Sequence, residues 1–136
     1  MSELVTAIFE SEGIRFAGEA LETLPSGAPI YVHRISGKLG LASALAIDKA
    51  TVVGLASVAI ASGSVGDVDT EQHEESDWTA ITGTAALLVG LPYYVGDTPG
   101  TLTAVAPTVP GKFCAAVGVA ASATVLELNL QPPIAL

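Results

Sequence analysis

Carboxylates, the side chains best able to do chemistry in this sequence, are concentrated in one short stretch of the 136-residue chain. Six of the fourteen acidic residues fall within eleven positions, at Asp67, Asp69, Glu71, Glu74, Glu75 and Asp77. The first three alternate, so on a β-strand they would share one face and could bind Ca²⁺ through oxygen ligands. An EF-hand loop is not matched, because Gln72 stands where that loop needs glycine. We expect a solvated segment, with cation binding or docking of a basic partner as alternatives.

The two histidines and the single cysteine give little indication of catalysis. His73 lies among the glutamates of the acidic run and is a weak candidate for a metal ligand, but a surface histidine without a function is the simpler expectation. His33 is expected to be exposed, and Cys114, in an apolar run, to be an inert core residue. No serine-nucleophile, phosphate-binding, dinucleotide or zinc motif occurs. We therefore expect no enzyme, no cofactor and no metal.

Four aromatic residues are the remaining candidates for a binding site. Trp78, Tyr93, Tyr94 and Tyr31 could form a platform for a sugar ring. Tyr31 and Tyr94 occupy equivalent positions of a repeat, which favours packing in a core or subunit contact over ligand binding.

The elements that must position these residues are duplicated. The pattern G-x-P-x-Y-V occupies residues 27–32 and again residues 90–95, an offset of 63. Each copy continues through a predicted hairpin turn, at Ser36-Gly37 or Pro99-Gly100, and reaches an apolar strand with an internal glycine, Gly54 or Gly118. Such a glycine indicates a bulge or a close backbone approach. We predict an all-β fold, a small barrel or sandwich built from two similar β-meander units, 27–70 and 90–130, in a single domain.

Three segments flank or connect these units. Residues 1–16 are predicted to form an N-terminal arm or hairpin, residues 67–78 an acidic connecting segment, and residues 131–136 an extended C-terminal tail with paired prolines. The tail ends in apolar residues that need a surface to cover them. Our candidates for contact with another subunit or a partner surface are Trp78, Tyr93, Pro132, Pro133, Ile134 and Leu136.

Composition and charge limit the partners. The formal net charge is −9 with only five basic residues, so neither nucleic acid nor an anionic membrane surface is expected to bind. No predicted transmembrane span or signal peptide is visible. Half of the residues are hydrophobic, but only 5% are aromatic. Small side chains bury little area each, which suggests that some apolar surface is buried between subunits.

Several strings resemble small virion proteins of tailed bacteriophages. In the second half they are Asp77-Trp78-Thr79-Ala80-Ile81-Thr82-Gly83 and residues 90–95, 99–103, 117–124 and 129–134. In the first half, Ala20-Leu21 and residues 27–32 and 53–56 are similar to phage capsid cement (head decoration) proteins. The resemblance implies a β-rich protein, often trimeric, that bridges capsid subunits and has no catalytic residues.

We therefore expect a capsid cement protein. It would be a homotrimer made in the host cytoplasm, located on the virion exterior and bound to the major capsid protein. The alternative is a fibre or tail-tip domain that binds host surface glycan through Trp78 and the tyrosines.

Overall fold

A computed structural model describes residues 15–136, and side chains from residue 17 onward. The predicted N-terminal arm, residues 1–16, thus lies outside the described residues except for the backbone of its last two, which begin the first strand.

Short strands make up most of the described chain, as the alternation of apolar positions and the glycine and proline punctuation predict. Residues 15–136 contain two one-turn helices, α1 (Ile47–Ala50) and α2 (Thr79–Thr82). The strands are β1 (Arg15–Glu19), β2 (Pro29–Val32), β3 (Leu39–Leu41), β4 (Gly54–Ala56), β5 (Val65–Asp69), β6 (Gln72–Glu74), β7 (Pro92–Val95), β8 (Leu102–Thr103), β9 (Phe113–Cys114), β10 (Ala116–Ala120), β11 (Val125–Leu128) and β12 (Ile134–Ala135). The all-β prediction is confirmed.

The strands form two five-stranded antiparallel sheets with the same topology. Sheet I has the order β1-β5-β4-β2-β3, and sheet II has the order β6-β11-β10-β7-β8. Each sheet therefore takes its strands from one half of the chain and orders them in the same way. The second half of the chain has two additional strands, β9 and β12, which pair with each other in a separate two-stranded ribbon.

Sheet I curls until its two edges meet. Ala20, just beyond β1, forms a parallel bridge with Leu39 of β3, and the Leu21 amide donates to the Leu39 carbonyl at 2.8 Å. Gly18 permits this approach, because a Cβ there would lie 2.9 Å from Cγ of Leu39. The smaller of the two cores fills the closed sheet and consists of Ala20, Leu24, Ile30, Leu39, Ala56, Ile60 and Val68.

The larger core contains residues of both sheets, which makes the two halves one packed unit. It includes Tyr31 and Leu55 from sheet I with Tyr93, Val95 and Leu126 from sheet II. Neither half could bury this apolar surface alone.

Residues 42–44 connect the halves through the backbone. Their amides and carbonyls bond to the β7–β8 turn and to β9: Ala44 N–H to Gly96, Gly100 N–H to Ala42, and Phe113 N–H to Ala44, at 2.9–3.0 Å. Ser43, 2% exposed, donates its hydroxyl to the Asp97 carbonyl at 2.8 Å.

The predicted glycine turns and bends are confirmed. Gly37 and Gly100 adopt φ of 72° and 82° at the β2–β3 and β7–β8 turns, a region that side-chain-bearing residues avoid. The pairing of β10 with β7 shifts register between Ala116 and Gly118. A Cβ on Gly118 would collide with the Glu127 carbonyl, and one on Gly54 with the Asp69 carbonyl. Both strands therefore need glycine for a close backbone approach.

Candidate interaction surface at the C-terminal strand

Two of the six predicted contact residues are buried inside the chain, so their assignment to a partner surface is corrected. Trp78 is 0% exposed in the larger core, where its indole N–H donates to the Thr124 carbonyl at 3.0 Å. Tyr93 is 2% exposed, and its hydroxyl accepts the Leu88 amide at 2.8 Å. Large aromatic side chains stabilise a core that is otherwise rich in alanine and valine. Trp78 and Tyr93 are used in this core and are therefore not available for contacts with a partner.

The other four predicted contacts lie in or next to β12. Residues 131–136 are extended, as expected, but they return to their own chain: Ile134 pairs with Cys114 and Ala135 with Phe113. The Leu136 amide also donates to the Lys112 carbonyl at 3.0 Å. Pro132 is exposed, Pro133 is half-buried, and Ile134 and Leu136 remain 64% and 40% exposed. The tail is therefore held in place while its apolar side chains stay accessible.

A groove of about 340 Å³ lies beside this tail. We call it the C-terminal groove; it is lined by Tyr94, Cys114, Ala116, Gln131, Pro132 and Ile134. Its wall is mainly apolar, and Gln131 is its one polar side chain apart from the tyrosine hydroxyl and the thiol. Such a surface binds an apolar side chain of a partner more readily than a charged ligand.

A comparison of the two sheets shows why this groove is open. Tyr31 in β2 and Tyr94 in β7 are equivalent in the repeat, and Val32–Leu39 and Val95–Leu102 are the corresponding cross-strand pairs. Tyr31 is 3% exposed because its face of sheet I packs into the larger core. Tyr94 is only half-buried, because the equivalent face of sheet II is not covered in the same way. The groove is thus the uncovered counterpart of a packed interface.

A second cavity, of about 430 Å³, lies between the β7–β8 turn and the loop that precedes β9. Threonines and valines line most of it, and its two charged side chains, Asp97 and Lys112, form an ion pair with each other. A charge that is already paired is a poor anchor for a ligand of either sign.

The acidic run does not form one face of a strand. Strand β5 ends at Asp69 and β6 begins at Gln72, so Glu71 lies in the turn between them. Asp67 and Glu71 are exposed, as the solvated alternative predicts. Among residues 15–136, no group of three or more acidic, histidine or cysteine side chains could hold a metal ion.

His73 contradicts its predicted surface position. It is 3% exposed, and its ring nitrogens lie 2.8 Å from carboxylate oxygens of Asp69 and Glu75. His33 is half-buried on the β2–β3 turn, where Nδ1 lies 2.9 Å from the Ser36 hydroxyl. Residues 70–75 are all polar, so the sequence carried no signal for the burial of His73.

Within the described part of the chain, Asp77 and Tyr31 have perturbed pKa values. The Thr79 hydroxyl and then the Thr79 amide donate to the Asp77 carboxylate, at 2.5 and 2.9 Å, and lower its pKa. Burial, followed by the charges of Asp48 and Glu22, raises the pKa of Tyr31. Both groups have structural surroundings, at a helix start and in a packed interface, and neither faces the C-terminal groove.

Comparison with models of protein families gives no match, and comparison with curated proteins gives no significant match. Within the described residues, none of the helices is long and apolar enough to span a membrane.

Proposed function

We propose that this protein is a structural virion protein of a tailed bacteriophage, a capsid cement protein that binds the outer surface of the major capsid protein shell and stabilises the head. The C-terminal groove and the exposed side chains of β12 are the proposed contact surface. The protein is proposed to act as a homotrimer, with neither cofactor nor catalytic residue. The sequence resemblance to capsid cement proteins supports the phage assignment.

The open face of sheet II is the observation that carries this proposal. The same face of sheet I is packed against protein, and its tyrosine is almost completely buried. An apolar surface of this kind is usually covered by a partner, and the centre of such a patch provides most of the binding energy. In the described residues, β12 has β9 as its one neighbour, so its other edge can accept a strand from the partner.

The test is reconstitution of capsids that lack the protein with purified variants. Ile134→Asp places a charge on the exposed side chain that borders the groove, and we expect it to weaken binding at least about tenfold. Ile35→Asp is the matched control, since Ile35 is 92% exposed on the β2–β3 turn, away from the groove. Copies bound per capsid and the temperature of capsid disruption are the two measurements.

Several outcomes contradict the proposal. If the Ile134→Asp variant occupies and stabilises capsids like the wild type, the groove is not part of the contact surface. If electron microscopy shows only a few copies at a fibre or tail tip, the protein is not a cement protein. If sedimentation velocity shows a monomer at capsid-binding concentrations, the protein is not a trimer.

The glycan-binding alternative receives no support from the aromatic residues on which it depends. Trp78, Tyr31 and Tyr93 are each at most 3% exposed, so they cannot stack on a sugar ring without unfolding part of the core. Tyr94 lines the C-terminal groove.

A further inference from the structure

The ring of His73 is hydrogen-bonded on both sides by carboxylates. Nδ1 lies 2.8 Å from Oδ2 of Asp69, and Nε2 lies 2.8 Å from Oε1 of Glu75. An ionised carboxylate can only accept hydrogen bonds, whereas a neutral imidazole has one donor nitrogen and one acceptor nitrogen. Both contacts are satisfied only when the ring carries both protons. When both carboxylates are ionised, the geometry is satisfied by a buried imidazolium between two anions.

These residues connect the two sheets. Asp69 is the last residue of β5 in sheet I, and His73 is the central residue of β6 in sheet II. Glu75 follows β6, and its carboxylate also accepts the hydroxyl of Ser26, from the segment that leads into β2. We call Asp69, His73, Glu75 and Ser26 the His73 link. It joins three segments that the backbone ladders of the two sheets do not join directly.

The ring of His73 is surrounded by protein, so its charge affects the stability of the contacts around it. Trp78 packs edge-on to it, with ring centroids 5.7 Å apart, and Leu126 is its cross-strand neighbour on β11. From the loop before β2, Gly27 approaches so closely that a Cβ there would lie 3.3 Å from Nε2. Asp69 and Glu75, 19% and 20% exposed, are the charged groups in hydrogen-bond contact with the ring within the described chain. Glu74 on the same strand and Glu127 on β11 are exposed to solvent.

We propose that the His73 link is a pH-sensitive contact between the two sheets, closed when the imidazole carries both protons and weakened when it loses one. Loss of a proton leaves a nitrogen lone pair facing a carboxylate oxygen at hydrogen-bond distance, which is repulsive in a partly buried site. The sign follows directly: stability is present at the lower pH, where the ring is charged, and decreases as the pH rises. Histidine is the side chain whose charge ordinarily changes between pH 5 and 8.

The first experiment measures the ring itself. Nitrogen-15 chemical shifts of the His73 imidazole report whether each ring nitrogen is protonated, and His33 is the second histidine in the same spectrum. We expect both nitrogens of His73 to be protonated at the pH where the fold is most stable, and one of them to be bare where the pH-dependent stability has been lost. A bare nitrogen at the pH of greatest stability would overturn the proposal, and so would a ring that keeps both protons throughout the loss of stability.

The second experiment measures the consequence for the whole chain. We expect the unfolding equilibrium constant of the wild type to rise roughly tenfold as the pH increases and the ring loses a proton, the lower end of the value of one hydrogen bond to a charged group. His73→Gln should lose most of this pH dependence, and the matched control His33→Gln should keep it. Parallel pH profiles for the wild type and His73→Gln would overturn the proposal.

A third variant separates this mechanism from a general loss of packing. Glu75→Gln provides an amide N–H that can donate to the bare ring nitrogen, so we expect it to reduce the pH dependence while the fold is retained. If His73→Gln does not fold, this variant and the ring shifts still decide the question. A pH dependence in Glu75→Gln equal to that of the wild type would show that the ring–carboxylate contact is not responsible.

Discussion

Substitution of Trp78 tests whether this residue stabilises the chain or binds a partner. Its side chain is fully buried in the larger core and packs edge-on against the His73 ring. Trp78→Phe retains an aromatic ring but loses the larger indole volume and one hydrogen bond. The effect on stability can therefore be estimated in two parts.

The first part is packing, and the second is the hydrogen bond. Truncation of a buried tryptophan to alanine costs about 3–5 kcal/mol, so the smaller change to phenylalanine should cost about 1–2 kcal/mol. The lost hydrogen bond adds about 1 kcal/mol. The Thr124 carbonyl also accepts the Glu75 amide at 3.0 Å, so it keeps a partner and adds no further penalty for an unsatisfied group. The sum is about 2–3 kcal/mol, a large part of the stability of an ordinary domain.

Urea and thermal unfolding followed by far-ultraviolet circular dichroism measure this loss, since the variant lacks the chain's one tryptophan. A melting temperature lower by roughly 10 °C is expected for a domain of this size. Val105→Ala is the control, because Val105 is 75% exposed and its truncation should change the free energy of unfolding by less than about 0.5 kcal/mol. If Trp78→Phe unfolds like the wild type but loses self-association or capsid binding, the assignment of Trp78 to the core is refuted.

Three further predictions concern the backbone and the perturbed ionisable groups. Gly118→Ala should lower the free energy of unfolding by more than about 2 kcal/mol, because its Cβ would collide with the adjacent strand. Gly63→Ala is the control: open space surrounds that residue, so only the strain of its positive φ should lower the stability. Equal urea unfolding of the two variants would show that the bulge relaxes. The lowered pKa of Asp77 adds stability that is present above about pH 4 and is lost as the pH falls through the pKa of the folded state. Asp77→Asn should therefore make the stability less sensitive to acid. A carboxyl carbon-13 titration of Asp77 with an ordinary aspartate midpoint would contradict this prediction. Tyr31 has a raised pKa, so its contribution to stability is present in full below about pH 10 and is lost at higher pH. In an ultraviolet titration, Tyr31→Phe should remove one tyrosine ionisation that lies above the ordinary midpoint.

Local chemistry was sufficient to predict the fold class and many of its turns. Alternating apolar residues, prolines at strand entries and glycines at turns act within a few residues of one another, so they can be read along the chain. The β2–β3 and β7–β8 hairpins lie where the Ser36-Gly37 and Pro99-Gly100 turns predict them. The glycines inside β4 and β10 mark close backbone approaches because no side chain fits there, a property of the residue type itself.

The candidate contact surface could be predicted only in part. The apolar tail was recognisable as a segment that needs cover, and Ile134 and Leu136 are indeed exposed. The return of this tail to β9 was not predictable, because the pairing of Ile134 with Cys114 joins residues that are distant in sequence and depends on the space left by sheet II. Trp78 and Tyr93 were misassigned for a related reason. Aromatic residues are common both in cores and in interfaces, so the residue type alone does not distinguish the two.

The sequence by itself determined that this chain forms short strands in two similar halves without a recognisable catalytic motif. The tertiary structure decided which copy of the repeated tyrosine is covered: Tyr31 lies in the shared core, and Tyr94 lines an open groove. It also buried His73, which was expected at the surface, and placed its ring between two carboxylates. The physical reason is common to both cases. Burial and charge pairing depend on segments that only the packing of the two sheets brings together, whereas turn and strand preferences are properties of neighbouring residues.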